Sequence, residues 1–106
     1  MLVVNRFRVP AAEDPDLLRA DLERVHGLLL DKPGYVAGWV GRNVDEPDLW
    51  VLTTRWVNVG AYRRALSSYE LKLHGVPVLM RAIDEPGAYE VVEPNTVLNV
   101  AEARVT

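Results

Sequence analysis

β-branched and aromatic residues dominate the stretch Trp50–Val57, where Trp50, Leu52, Thr54 and Trp56 share one phase and Val51, Thr53 and Arg55 the other. Period two in β-branched and aromatic residues predicts a strand. The phase then changes without a linker. Asn58 is placed to cap a helix opened by GAYRRAL, and Ser67 with Glu70 three residues on predicts a capping box and a kink. The rest of the chain is expected to pack against this strand-to-helix hinge, Trp50–His74.

Upstream, Leu2–Val9 reads as a first strand, with Val3, Asn5, Phe7 and Val9 on one face and Leu2, Val4, Arg6 and Arg8 on the other. Asp14 before Pro15 marks a helix start, and Leu18, Leu22, Val25 and Leu29 form its apolar stripe, predicting a helix over about 15–30. His26 flanks that stripe. Lys32, Pro33 and Gly34 end the helix, and Tyr35–Asn43 reads as a second strand with Tyr35, Ala37, Trp39 and Gly41 on one face, leaving Val36 and Val40 on the other. Gly38 and Gly41 predict curvature or a cavity beside Trp39. The acidic turn Asp45–Asp48 joins this strand to the hinge strand as a hairpin. Beyond the hinge, Leu71, Leu73, Val76, Leu79, Met80 and Ile83 repeat helically, with a break expected near Gly75 and Pro77. A turn through Gly87 leads to a fourth strand, Ala88–Glu93. The tail from Pro94 to Thr106 is expected to form a fifth edge strand or an arm lying on a partner, leaving residues 1–93 as the domain.

The order strand, helix, strand, strand, helix, strand predicts an α+β, ferredoxin-like split βαβ fold with a four-stranded antiparallel sheet. One helical layer leaves the other sheet face bare, and a second copy of the chain is the expected cover, giving a homodimer. At 106 residues the chain is sized for one domain, and a net charge of −3 with interleaved acids and bases argues against nucleic acid. Arginine outnumbers lysine ten to two, which looks like coding bias rather than chemistry. The absence of cysteine excludes disulfides and thiolate metal sites, and the short, arginine-containing N-terminus is neither a signal h-region nor a membrane span. A cytoplasmic location is the default. The sequence carries no phosphate loop, zinc motif, serine elbow or metal-ligand spacing, so neither metal nor cofactor is expected.

The opening VVNRFRV, the KPGYVAGWVGR strand, the LWVLTTRWVNVGAYRRAL passage and the closing AYEVV resemble the antibiotic biosynthesis monooxygenase family of dimeric α+β barrel proteins, over about residues 1–93. The resemblance implies a monooxygenase needing no cofactor, acting on a small aromatic substrate of the polyketide or quinol kind. The alternatives it leaves are a non-catalytic ligand-binding or structural homodimer, and a haem-degrading enzyme. Asn5 matches the asparagine of the haem-degrading branch, while Ala65 and Gly75 stand where that branch has its tryptophan and its iron-binding histidine. In the cofactor-free reading Asn5 is the expected hydrogen-bonding group for a developing oxyanion, His74 the candidate base, and Trp39, Phe7 and Tyr69 the candidate substrate contacts. Trp56 is expected to pack against the helix that follows it.

Overall fold

The computed structural model describes residues 1–98. Its elements are β1 (Leu2–Arg8), α1 (Pro15–Leu29), β2 (Tyr35–Arg42), β3 (Leu49–Trp56), α2 (Val59–Leu66), α3 (Val76–Leu79) and β4 (Ala88–Tyr89), with a π turn at Leu71–Gly75 entering α3. The sheet runs β2-β3-β1-β4 with every neighbouring pair antiparallel, the expected ferredoxin-like arrangement.

The caps form where the sequence places them. The Asp14 carboxylate accepts from the Asp16 amide at 3.0 Å with Pro15 in the first turn, and Asn58 Oδ1 accepts from the Ala61 amide at 2.9 Å. Gly34, at φ 88°, turns the chain from α1 into β2, and its carbonyl accepts from the Val57 amide at 2.9 Å. A side chain there would be strained and would also meet Ala61 Cβ. The turn thereby lets the start of α2 close on the start of β2.

The core lies between one sheet face and the helices. Val3 and Phe7 of β1, Leu52 and Trp56 of β3, Leu18, Leu22, Val25 and Leu29 of α1, Ala61 and Ala65 of α2, and Leu71 and Val78 beyond it are all buried. Removing this much apolar surface from water is the main stabilisation available to so small a domain.

Four expectations need correction. Tyr35 does not share a face with Trp39: an irregularity at Val36 shifts the register, so Tyr35 pairs with Trp56 and turns inward while Trp39 pairs with Thr53 and turns outward. Val40 for the same reason packs on the core rather than on the bare face. Ser67 and Glu70 form no capping box, because Ser67 Oγ donates back to the Arg63 carbonyl at 3.0 Å and the Glu70 carboxylate takes Lys32 at 3.1 Å. The fourth strand is only Ala88–Tyr89 rather than Ala88–Glu93, since Tyr89 pairs with Leu2 and the antiparallel chain then runs past the end of β1.

The expected break near Gly75 is a π turn. Pro77 has no amide to offer the Leu73 carbonyl, and the Val76 amide reaches back five residues to Leu71 O. Leu71 is fully buried and packs against the missing side chain of Gly75. Of the tail, Thr96 and Glu93 bond each other, with the Glu93 amide 2.8 Å from Thr96 Oγ1. The expected fifth strand falls mostly outside the described residues.

Candidate functional site

Alternation along β1 puts Asn5 on the inner face between buried Val3 and Phe7, opposite Leu52 of β3. A polar side chain in that row needs a partner. It faces the phenol of Tyr62 on α2, whose ionisation burial opposes and the Asn5 hydrogen bond partly favours, the burial effect being the larger. Both side chains are partly buried. On the other side of Asn5 is Gly87, where a Cβ would stand 3.6 Å from Asn5 Oδ1 and 3.0 Å from the Val4 carbonyl.

From Tyr62 a row of rings crosses the protein. The Trp56 ring centroid is 5.5 Å from that of Tyr62, tilted by 55°, and 5.5 Å from that of Tyr35 in an edge-on contact of 90°. Trp56 is 1% exposed, and its indole N–H donates to Thr54 Oγ1 at 2.8 Å. The Tyr35 hydroxyl lies 2.7 Å from His26 Nε2 on α1. Burial lowers the pKa of His26 and raises that of Tyr35, so near neutral pH the pair is an uncharged imidazole beside a phenol. Gly38 makes room for them: a Cβ there would be 2.7 Å from the Tyr35 hydroxyl and 3.0 Å from His26 Nε2. The gap expected beside Trp39 is thus filled by Tyr35 and His26 on the inner side.

A cleft of about 560 Å³ opens between the first turn of α2 and the edge strand, lined by Met1, Asn58, Val59, Ala88, Tyr89, Glu90 and Val91. Tyr62 is one turn along α2 from Val59, and Asn5 is one inward step along β1 from Val3, the partner of Ala88. Neither Asn5 nor Tyr62 lines this cleft.

The candidate residues do not all converge on one cavity. Asn5 and Phe7 are neighbours on the inner face, Phe7 as a core side chain. Trp39, 64% exposed, lies on the opposite face of the sheet. Tyr69 is 76% exposed, and His74 is exposed on the outer side of the π turn, whose inward positions are Leu71 and Gly75. Sequence reasoning passed over Tyr62, Tyr35 and the partnership of His26. Tyr62 and Tyr35 flank Trp56 six positions after it and directly across from it, a spacing that becomes visible only once the β2 register is known.

The positions that bear on the haem alternative lie in α2 and the π turn. Gly75 is the residue that turns inward at the ligand register, His74 points out, and Ala65 is a small buried side chain. Among the described residues, no three His, Asp or Glu side chains cluster to hold a metal ion. No helix among them is long and apolar enough to cross a membrane.

A four-stranded antiparallel sheet layered with helices on one face is a ferredoxin-like α+β frame. The sequence profile of the antibiotic biosynthesis monooxygenase family matches residues 1–74, and the chain belongs to that family. It is similar in structure to SnoaB, a cofactor-independent oxygenase from Streptomyces nogalater, at 26% identity over 76% of this chain and 80% of that one, with a TM-score of 0.65. A mutant of SnoaB, with asparagine replaced by alanine at one position, matches at 24% identity over 77% and 82%, with a TM-score of 0.67. Rv0793 from Mycobacterium tuberculosis shares the fold at 19% identity over 90% and 97%, with a TM-score of 0.65. No functionally curated protein matches the chain.

Proposed function

We propose that the chain is a cofactor-independent monooxygenase acting on a small aromatic substrate of the quinol or anthrone type. The observation that carries the reading is the Asn5–Tyr62 pair, two neutral hydrogen-bonding groups set into the otherwise apolar layer between sheet and helices. Family membership and the likeness to SnoaB support it.

The chemistry needs no redox group from the protein. An anthrone-like carbon loses a proton to solvent, and its anion gives one electron to dioxygen. The substrate radical and superoxide combine to a peroxide, which loses water to leave a carbonyl, so that one CH₂ and one O₂ become C=O and H₂O. The protein's part is to hold the substrate oxyanion. The Asn5 amide N–H and the Tyr62 O–H donate to it in a water-poor site, where such bonds stabilise charge better than solvent does. In this proposal the proton goes to solvent rather than to His74, whose side chain is exposed.

The working unit in this proposal is a homodimer built on the bare sheet face, where Trp39, Val36 and Tyr89 are exposed, with residues 1–93 as the folding unit. Oxygen uptake by the chelator-treated protein, measured over a panel of hydroxyanthrones and hydroquinones, tests the reaction. Substrate-dependent uptake with an oxygen atom from labelled dioxygen in the carbonyl product supports it, and no uptake over the panel counts against it. The second reading, a non-catalytic ligand-binding dimer, is favoured by Asn5 and Tyr62 satisfying each other away from the cleft lining. Ligand-induced stabilisation without oxygen consumption would select it.

A further inference from the structure

The ring contacts leading away from Asn5 have a chemical asymmetry. Tyr62 faces an amide, which is no base, and the Trp56 indole faces a threonine hydroxyl, which is no base either. Tyr35 alone in the row faces an imidazole, at 2.7 Å. A phenol that loses an electron must also lose its proton, so an oxidising equivalent anywhere in the row comes to rest where a base waits. Ring edges in contact at centroid spacings of 5.5 Å leave no gap of saturated chain between Tyr62, Trp56 and Tyr35.

We infer that Tyr62, Trp56 and Tyr35 form a one-electron relay from the oxygen site to the Tyr35–His26 pair, which serves as its terminus. The inference rests on the oxygenase reading for its oxidant, an oxygen-centred radical such as superoxide that escapes recombination with the substrate radical. The electron leaves Tyr35 and passes through Trp56 and Tyr62 to that radical. The Tyr35 proton moves to His26 Nε2, giving a neutral tyrosyl radical and an imidazolium. The oxygen species becomes peroxide, taking its protons from solvent. The relay thereby draws a stray oxidant away from the site and holds the radical at the far end of the core, next to α1. The 2.7 Å contact between the Tyr35 hydroxyl and His26 Nε2 gives the proton a direct path to the ring.

The test needs no substrate. Laser photoionisation of the indoles in the full chain, followed by transient absorption and by electron paramagnetic resonance of the frozen sample, reads the relay directly. The expected result is an indole radical that decays, at a rate independent of protein concentration, into a tyrosyl radical. Tyr35→Phe, which keeps the ring and its packing, removes most of that tyrosyl signal. His26→Gln shifts the g-value of the signal, which senses the hydrogen bond to the radical oxygen, and slows its formation. An undiminished tyrosyl signal in Tyr35→Phe, or formation that depends on protein concentration, overturns the relay. Should Tyr35→Phe fail to fold by thermal melt, the spectrum of His26→Gln decides, an unshifted g-value overturning the inference. Failure of the oxygenase reading is separate: it shows as absent oxygen uptake, with the photochemical transfer intact.

Discussion

Gly38→Ala is the single-methyl change with the most to say about the inner wall. The added Cβ would stand 2.7 Å from the Tyr35 hydroxyl, 3.0 Å from His26 Nε2 and 2.9 Å from the Thr53 carbonyl. The first two are ends of side chains and can be pushed aside, but only by giving up their mutual bond. The third is backbone in the central part of the sheet, where β3 is paired on both sides, so it cannot yield without disturbing two ladders. Overpacking of this kind costs roughly 1–3 kcal/mol, and the lost hydrogen bond about 1 kcal/mol more. Against this, replacing a strand glycine recovers roughly 0.5–1 kcal/mol of backbone entropy. The overlap wins, with a net loss of about 1–3 kcal/mol, which in a domain of this size lowers Tm by roughly 5–20 °C. Thermal melts followed by circular dichroism supply the number, and a cycle with Tyr35→Phe apportions it. Deleting the hydroxyl removes the closest overlap, so Gly38→Ala should be milder in the Tyr35→Phe background, with a coupling of about 0.5 kcal/mol or more. An unchanged or raised Tm for Gly38→Ala would refute the packing argument.

Three further outcomes are expected. Because burial lowers the His26 pKa below its ordinary 6.5, the unfolded chain binds more protons in acid, so stability present above about pH 6.5 falls as the pH drops through that value. His26→Gln should flatten this slope in pH-dependent melts, and an equally steep slope in the variant would place its origin elsewhere. Trp39→Glu should convert the dimer to monomer in light scattering at micromolar concentration while leaving the melt cooperative; a wild-type chain that is already monomeric would remove the dimer proposal altogether. Hemin titration should give no tight one-to-one complex, and an absorption band lost on His74→Ala would reverse that conclusion.

Much of this architecture was legible because its signals are local. The α1 stripe, the Asp14 and Asn58 caps and the alternation of β1 and β3 each need only a few neighbouring residues, and each formed as read. What escaped depends on residues far apart in the chain. The irregularity at Val36 swaps the faces of Tyr35 and Trp39, and nothing in KPGYVAGWVGR announces it except the small side chains that tolerate it. The length of β4 is fixed by where β1 begins, and not by the strand-like AYEVV itself. Asn5 was readable as an anomaly, a polar residue in an apolar row, but its partner Tyr62 lies 57 positions away and becomes visible only after α2 is laid on the sheet. His74 drew attention as a titratable side chain near a helix break, and the π turn that Pro77 and Gly75 impose is what leaves it outside.

The central claim is that the Asn5–Tyr62 pair holds the reacting oxyanion, and the most direct measurement sets turnover against stability in one variant. Asn5→Ala removes a donor to the developing charge while leaving the β1 backbone, its ladders and the flanking Val3 and Phe7 in place. With a hydroxyanthrone that the wild-type chain oxidises, the account predicts a fall in kcat of roughly 10²-fold, together with a stability loss no larger than the about 1–3 kcal/mol of one partly buried phenol left without its partner. Tyr62→Phe should lower kcat in the same assay, and the product should remain a carbonyl. Unchanged oxygen uptake in a clearly destabilised Asn5→Ala would contradict the account and make Asn5 a structural amide whose only work is to satisfy Tyr62.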